Sequence, residues 1–347
     1  MNCGIMGIGT YIPNAWMTAE EISSKSKIPE NIIIEKFGLF KKPIPRENDT
    51  PSYMGIKAAE KAITDAGISP KEIDVVIWVG GQHKDYLSWI SSIKIANEIG
   101  AINACGFDMS SLCCSMVSGI EVAKSLLVTN KKYNTILLVS GSRDVDFVDY
   151  TNPETAFLID VGAGGSAMVI RKNYNKNVIL GSSIKCDGTF AESCIVEYGA
   201  AKHWPIKNEE VNKINYGIKD VESFKEKLGT KTIDNFEKVV KESLKYSGMT
   251  ESDIDYLAML HFKKSAHNNC LDRLHLNADK TTYLSEYGHV GQNDQILSIE
   301  LGLKSGKIKD GSNVVMVGAG LGFIWAATVI AWGNYLNRYK QERENII

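Results

Sequence analysis

Cys113 lies in GFDMSSLCCSMVSGIEVAKSLL, where an apolar, strand-like run gives way to small polar residues and then to an amphipathic helix with a face of Ile120, Val122, Ala123, Leu126 and Leu127. A cysteine just ahead of a helix sits in the partial positive charge of the helix start, which favours thiolate over thiol. The chemistry this allows is nucleophilic attack. The same placement also suits a packed, inert thiol, which is how Cys114 reads. What decides for Cys113 is the company it keeps. His261 ends the strand-like DYLAML, and His289 sits in the glycine-bracketed SEYGHVGQND. Imidazoles beside a thiol tune the thiolate or donate to an oxyanion. His83, His203, His267 and His275 have no matched partner and read as surface or structural groups.

The elements that must position these groups occur twice. Residues 59–80, AEKAITDAGISPKEIDVVIWVG, are echoed by 240–261, VKESLKYSGMTESDIDYLAMLH. Gly67, Ile73 and Asp74 match Gly248, Ile254 and Asp255, all offset by 181. Each copy reads as helix, glycine stop, Ser/Thr-led turn and strand. A second echo pairs 118–141 with 297–320, aligning Ile120-Glu121 with Ile299-Glu300 and Asn134 with Asn313 at an offset of 179. Two echoes in the same order and at near-equal spacing indicate an internal duplication. The offsets set His261 against Gly80 at equivalent strand ends, and Cys113 against Gln292, three residues past His289. Cys113, His261 and His289 are therefore expected to meet at pseudo-symmetric loop ends.

The halves run over 1–172 and 173–333, joined at the polar RKNYNKN, with a charged tail at 334–347 that reads as a surface helix or frayed end. Buried Val/Ile/Leu-rich strands alternating with helices make each an α/β unit. Residues 185–215 lack periodicity and read as an excursion that shapes a pocket. DVGAGG at 160–165 lacks a full phosphate-loop spacing and reads as close backbone packing.

At 347 residues, 44% hydrophobic and 23% charged, the chain has an ordinary globular composition. Its net charge of −2 attracts neither nucleic acid nor an anionic membrane. No basic leader precedes GIMGIGTYI, and GAGLGFIWAATVIAW is shorter than a membrane span and reads as the edge of a buried strand pair. Seven scattered cysteines without a CxxC pair support neither a metal site nor a disulfide framework and suit a reducing cytoplasm.

Across about residues 3–333 the chain resembles the thiolase superfamily, in particular its ketoacyl synthase III branch. GIGTYIPNAWMTAEEI is similar to that branch's opening strand, turn and helix, EKFGL to its Arg-Thr-Gly-Ile stretch, and GFDMSSLCCSMVSGIEVA to its nucleophile segment. LIDVGAGGSAMVI and GKIKDGSNVVMVGAGLGFIWAATVI resemble its glycine-rich strands. The resemblance implies a duplicated, five-layered αβαβα fold with two mixed sheets related by a pseudo-twofold axis. It also implies a homodimer, in which the segment around Tyr86–Trp89 lies near the interface and caps the acyl pocket. Counting back from Gly306, the branch's usual asparagine falls on His289. The set is thus Cys-His-His, as in the elongating ketoacyl synthases, while GHVG resembles thiolases. The second thiolase cysteine is missing from VGAGLGF. HFKK at 261–264 replaces the usual His-Gln-Ala-Asn, Ile32 stands at a tryptophan position that stacks on the coenzyme adenine, and Lys36 replaces an arginine.

By this resemblance Cys113 takes up an acyl group from coenzyme A or an acyl carrier protein, and a malonyl-type thioester then condenses with loss of carbon dioxide. His261 and His289 donate to the thioester oxygen, and backbone N–H groups of Cys113, Gly320 and Gly322 hold the oxyanion. Ile32, Lys36, Trp89, Phe262 and Lys263 are the implied substrate contacts, although Lys36, Lys263 and Lys264 also suit a plain solvated face. No metal or organic cofactor is implied. Two alternatives stand beside this reading. One is a non-decarboxylating enzyme like thiolase or hydroxymethylglutaryl-CoA synthase; the other is a catalytically silent partner subunit.

Overall fold

The structure is a computed structural model that describes residues 1–335; of the expected charged tail, 336–347 lie outside the described residues. The strands in chain order are β1 (Cys3–Tyr11), β2 (Ala15–Thr18), β3 (Lys41–Ile44), β4 (Val75–Trp78), β5 (Cys105–Asp108), β6 (Thr135–Ser142), β7 (Gly164–Lys172), β8 (Lys176–Cys186), β9 (Cys194–Val196), β10 (Tyr216–Ile218), β11 (Tyr256–Met259), β12 (Asn313–Gly320) and β13 (Ile324–Asn334). The α-helices are α1 (Ala19–Ser26), α2 (Glu30–Ile32), α3 (Pro51–Ala66), α4 (Ser91–Glu98), α5 (Ser115–Thr129), α6 (Val221–Tyr246), α7 (Lys264–Arg273) and α8 (Asp294–Lys304).

The duplication is visible in the sheet. In the first half the order is β1-β7-β6-β4-β5, with β6 antiparallel to β7 and parallel to β4. In the second half it is β8-β13-β12-β11, with β12 antiparallel to β13 and parallel to β11. The counterpart of β5 is reduced to Thr281, which makes one parallel bridge to Leu257. The half-sheets meet edge to edge at a single pairing, Gly4 with Val178, so hydrogen bonding runs through nine strands. A short turn between Lys172 and Lys176 connects the two half-sheets.

Strand alternation sets the five layers. Val75 and Ile77 face a central layer with Met116, Val117 and Ile120 of α5 and Ile296 and Ile299 of α8, which also meets Tyr256, Ala258, Val314 and Met316 of the other half. Val76 and Trp78 face the opposite way, toward Ala58, Ala59, Ala62 and Ile63 of α3. Leu257 and Met259 face outward too, onto Phe236, Val239 and Val240 of α6 and Leu271 of α7. Leu112–Thr129, long and apolar enough to cross a membrane, is this central helix with the turn before it. The two central helices thus place their N-terminal turns side by side. A 3-10 turn, Leu112–Cys114, precedes α5, and Gly291–Asn293 precedes α8 at the 179 offset.

Two local readings differ. GAGLGFIWAATVIAW is the hairpin of β12 and β13, which are internal strands rather than an edge, because β8 and β11 flank them. Residues 185–215 extend the end of β8 and then form 3-10 turns and a small two-stranded sheet, β9 with β10. Their polar-rich sequence hides the periodicity of three-residue strands.

The hairpin reaches the nucleophile turn through Gly320, where an added Cβ would lie 2.1 Å from the Ser111 carbonyl oxygen. Backbone cannot give way there as a flexible side chain can. Gly320→Ala is expected to cost about 1–3 kcal/mol in urea unfolding. Gly188→Ala, whose Cβ meets nothing within 4 Å, should stay within about 0.5 kcal/mol of the parent.

Candidate active site

Hydroxyls latch the turn that carries Cys113. Ser111 N donates to Ser115 Oγ (2.7 Å), which donates to Leu112 O (2.7 Å), and Ser118 Oγ donates to Ser111 Oγ (3.1 Å). Leu112 takes a left-handed conformation (φ 47°), which lets the chain double back before α5. The two cysteines separate as their types allow. Cys114 is buried, with Sγ 3.4 Å from Gly318 O, and burial drives its thiol far above the ordinary range. Cys113 is partly exposed at the positive end of a 15-residue helix.

His289 reaches the site because its glycine neighbours tolerate what other residues would not. Gly288 and Gly291 have φ of 62° and 69°, and Cβ atoms there would fall 2.3 Å from Asp160 O and 2.7 Å from Ser142 Oγ. His289 N donates to Asp160 O (2.9 Å), and Nδ1 donates to Asp294 Oδ2 (2.6 Å). Asp294 is fully buried and also accepts from Val290 N and His261 N, both at 2.7 Å. With Nδ1 engaged, Nε2 is left for Cys113. Burial opposes a charged His289, but the Asp294 carboxylate and then the Cys113 sulfur outweigh it and hold the pKa well above the histidine range. The site therefore favours an imidazolium next to the sulfur.

His261 follows β11, and its side chain is fully buried. Nδ1 donates to Asp160 Oδ2 (2.9 Å), whereas Nε2 has no partner. Burial raises the Asp160 pKa, but His261, His289 and Lys42 together bring it below the ordinary carboxylate value. Lys42 is itself fully buried and donates to Ile159 O and Val161 O, both at 2.7 Å, on either side of Asp160. Burial pulls its pKa down to about 7, against the attraction of Asp160. Tyr283 packs its ring on His261 (4.9 Å) and donates from its hydroxyl to Phe37 O (2.7 Å) and Phe262 O (2.9 Å).

The structure sets Cys113 against His289, holds His261 and His289 on the shared Asp294 brace and packs Gly320 on the Ser111 carbonyl of the turn that carries Cys113. Gly322 lies in the adjoining hairpin at φ 120°, with open space at its Cβ position. Lys36 and Lys263 are exposed, and the Lys263 ammonium sits 5.0 Å from the Phe37 ring. One expected substrate contact, Phe262, turns its ring another way. The Phe262 ring packs on Phe236 (5.5 Å), toward the outer helical layer, because its carbonyl is held by Tyr283. Ile32 packs among the apolar residues around α1. Trp89 sits in an exposed loop with its ring against Tyr86 (5.5 Å). His267 is buried against Tyr283, as a structural group, and burial lowers its pKa to about 4. Among the described residues, no group of three or more His, Cys, Asp or Glu is arranged to hold a metal ion.

Sequence reasoning missed Asp160, Asp294, Lys42 and Tyr283. Asp294 had a readable signal, an acidic residue at the first position of the helix after GHVGQN. Asp160 lay inside DVGAGG, where glycine density drew attention to the backbone. Nothing local marked Lys42 or Tyr283.

Two family profiles match the chain. 3-Oxoacyl-[acyl-carrier-protein (ACP)] synthase III matches residues 107–188, which hold Cys113 and Asp160. The 3-oxoacyl-[acyl-carrier-protein (ACP)] synthase III C-terminal profile matches residues 244–332, which hold His261, His289 and Asp294. A β-ketoacyl-[acyl-carrier-protein] synthase III of Microcystis aeruginosa is 26% identical over 332 residues, covering 95% of this chain and 97% of the relative. The crystal structure of 3-oxoacyl-[acyl-carrier-protein] synthase III from Aquifex aeolicus VF5 superposes with a TM-score of 0.82 at 20% identity, covering 95% and 100% of the two chains. The priming β-ketosynthase of the R1128 polyketide pathway gives 0.82 at 20% identity, covering 96% of each. Both superpositions show the shared thiolase-like fold.

The raised pKa of His289 makes stability depend on pH. An unfolded histidine titrates near 6.5, so the folded chain holds this proton more tightly. That contribution is complete below pH 6.5 and is lost as pH rises through the higher folded value. The stability advantage of the parent over His289→Asn in urea unfolding is therefore expected to shrink steadily as pH rises above 6.5.

Proposed function

The chain belongs to the ketoacyl synthase III family of the thiolase superfamily, and from that premise we propose that it is an acyltransferase that joins an acyl group to a malonyl-type thioester with loss of carbon dioxide. The observation that carries this reading is the Cys113–His289–Asp294 arrangement, a thiol facing an imidazole that a buried carboxylate keeps charged.

Cys113 thiolate attacks the acyl thioester carbonyl, and His289 gives its proton to the departing thiol. The acyl group is then held on sulfur. Solvent returns one proton to His289 in each turnover. The malonyl-type thioester loses carbon dioxide, leaving an enolate whose oxygen accepts from His289 Nε2–H. His261, its Nδ1 directed at Asp160, has an unpartnered Nε2, which as imidazolium donates to the same oxygen. The enolate carbon attacks the acyl-cysteine to form the β-ketoacyl thioester, and the thiolate–imidazolium pair is restored. During both attacks, backbone N–H groups of Cys113 and the Gly320–Gly322 hairpin hold the oxyanion. No step calls for a metal or an organic cofactor. Lys36 and Lys263 flank the lip where the phosphates of a pantetheine arm, on coenzyme A or a carrier protein, would pass.

We further place the enzyme in the cytoplasm, a setting that suits its seven free cysteines, and assign it a homodimer. Edge strand β5 has an exposed Phe107, and Leu87, Ile93 and Ile102 lie exposed on neighbouring segments, an apolar edge of the kind a second copy covers. Sedimentation at micromolar concentration should give twice the chain mass of 38.3 kDa.

Intact-mass detection of acyl-Cys113, with carbon dioxide release from labelled malonyl thioester, tests the reaction. Cys113→Ala should abolish both. His261→Ala should still acquire the acyl group but lose carbon dioxide release by about 10²–10⁴-fold. Condensation of two acetyl thioesters without carbon dioxide release would instead favour the thiolase-like alternative. Full turnover without selective iodoacetamide labelling of Cys113 would remove the proposed nucleophile.

A further inference from the structure

β3 pairs in register only with β2, where Met17 stands opposite Lys42. It nevertheless reaches the loop that carries Asp160. Pro43 O accepts from Ala163 N (3.0 Å), and the fully buried Lys42 sends its ammonium between Ile159 O and Val161 O, both at 2.7 Å. The same ammonium sits 4.8 Å from the centroid of the Tyr150 ring, whose hydroxyl is buried without a hydrogen-bond partner. Among the described residues it forms no ion pair with a carboxylate. A buried ammonium is costly to keep, and a position that only needed filling is better served by an apolar side chain.

The two carbonyls lie on either side of Asp160, and this stretch mounts both imidazoles. Asp160 O accepts from His289 N (2.9 Å), His289 O accepts from Gly162 N (2.8 Å), and Asp160 Oδ2 accepts from His261 Nδ1 (2.9 Å). The rings depend on the mount unequally. The His289 ring has its own anchor in Asp294 (2.6 Å). Hydrogen bonding of the His261 ring rests on Asp160, since Nε2 has no partner. A shift of the 159–161 peptides therefore moves the His261 ring while the His289 ring keeps its carboxylate.

On the acyltransfer reading, we propose that Lys42 is a positioning residue for the decarboxylating step: its ammonium locks the 159–161 peptides and, through Asp160, sets where His261 Nε2 meets the enolate oxygen. Lys42 touches no reacting atom in this scheme. Geometry of this kind bears steeply on rate, since a misplacement of about 1 Å costs on the order of 100-fold. Loading of Cys113, which draws on His289, is affected far less.

The test compares two rates per loaded site. Acylation of Cys113 is followed by intact mass with N-acetylcysteamine thioesters of acetate, butyrate and octanoate. Carbon dioxide release is then followed with the labelled malonyl thioester of N-acetylcysteamine and divided by the loaded fraction, so unfolded chain does not count. Lys42→Met keeps the length of the side chain and removes its donors. It is expected to load within about threefold of the parent, and to release carbon dioxide about 10–100-fold more slowly with KM for the malonyl thioester held within about threefold. Added to His261→Ala, Lys42→Met should slow carbon dioxide release by less than about threefold, because a residue that works through His261 has nothing left to position. Lys42→Gln, which keeps an N–H group in the same space, is expected to fall between the parent and Lys42→Met, and it carries the same comparison if Lys42→Met does not fold. Unchanged carbon dioxide release, loading lowered as much as release, or a full further loss in the double variant overturns the inference. If the parent loads and condenses while Lys42→Met matches it, only this inference fails. If no probe loads Cys113 of the parent, the acyltransfer reading fails with it.

Discussion

Two carboxylates cross-brace the two imidazoles, and the site depends on that arrangement. Asp294 accepts from the ring of His289 and from the backbone of His261, while Asp160 accepts from the ring of His261 through its side chain and from the backbone of His289 through its carbonyl. Each histidine is therefore tied to both anchors, and neither ring turns alone. The magnitudes favour the brace. A hydrogen bond to a charged group contributes about 1.5–3 kcal/mol, and breaking a buried pair costs about 3–5 kcal/mol. Ordering one such side chain costs at most about 2 kcal/mol. Lys42 serves the same end one step further out, by fixing the carbonyls on both sides of Asp160.

Duplication explains why these groups converge from distant parts of the chain, and divergence of the copies explains the chemistry. The turn before α5 carries Cys113; its counterpart before α8 carries Gln292. The glutamine is fully buried and donates to Ser140 Oγ (2.6 Å) and Gly141 O (3.3 Å), so the second copy uses the position to bind its turn to the first copy's sheet. At the matching strand ends, Gly80 stands opposite His261, and β5 has only Thr281 as its counterpart. In the proposed scheme one copy supplies the nucleophile and the other the proton donors.

The repeat made most of this legible. Offsets of 181 and 179 pointed Cys113 toward the loop of His289, which the structure sets against it, since matching helix starts and strand ends coincide when two copies share a central layer. The supporting polar groups were less readable. A buried lysine bonded to carbonyls leaves no periodic trace, and Tyr283 acts on His261 through a ring contact that only the folded chain creates. Phe262 shows the opposite failure. Its neighbour in sequence is catalytic in the proposed scheme, yet the backbone turns its ring away from the site.

The seam between the copies is narrow in backbone terms, a short turn and one strand pairing at Gly4 and Val178. Side chains reverse that impression, because α5 and α8 are each packed against strands of both halves. A single cut in the turn after Lys172 would leave two fragments that clasp the same pair of helices. Neither fragment has a finished interior without the other, so the ancestral boundary is no longer a line along which the molecule comes apart.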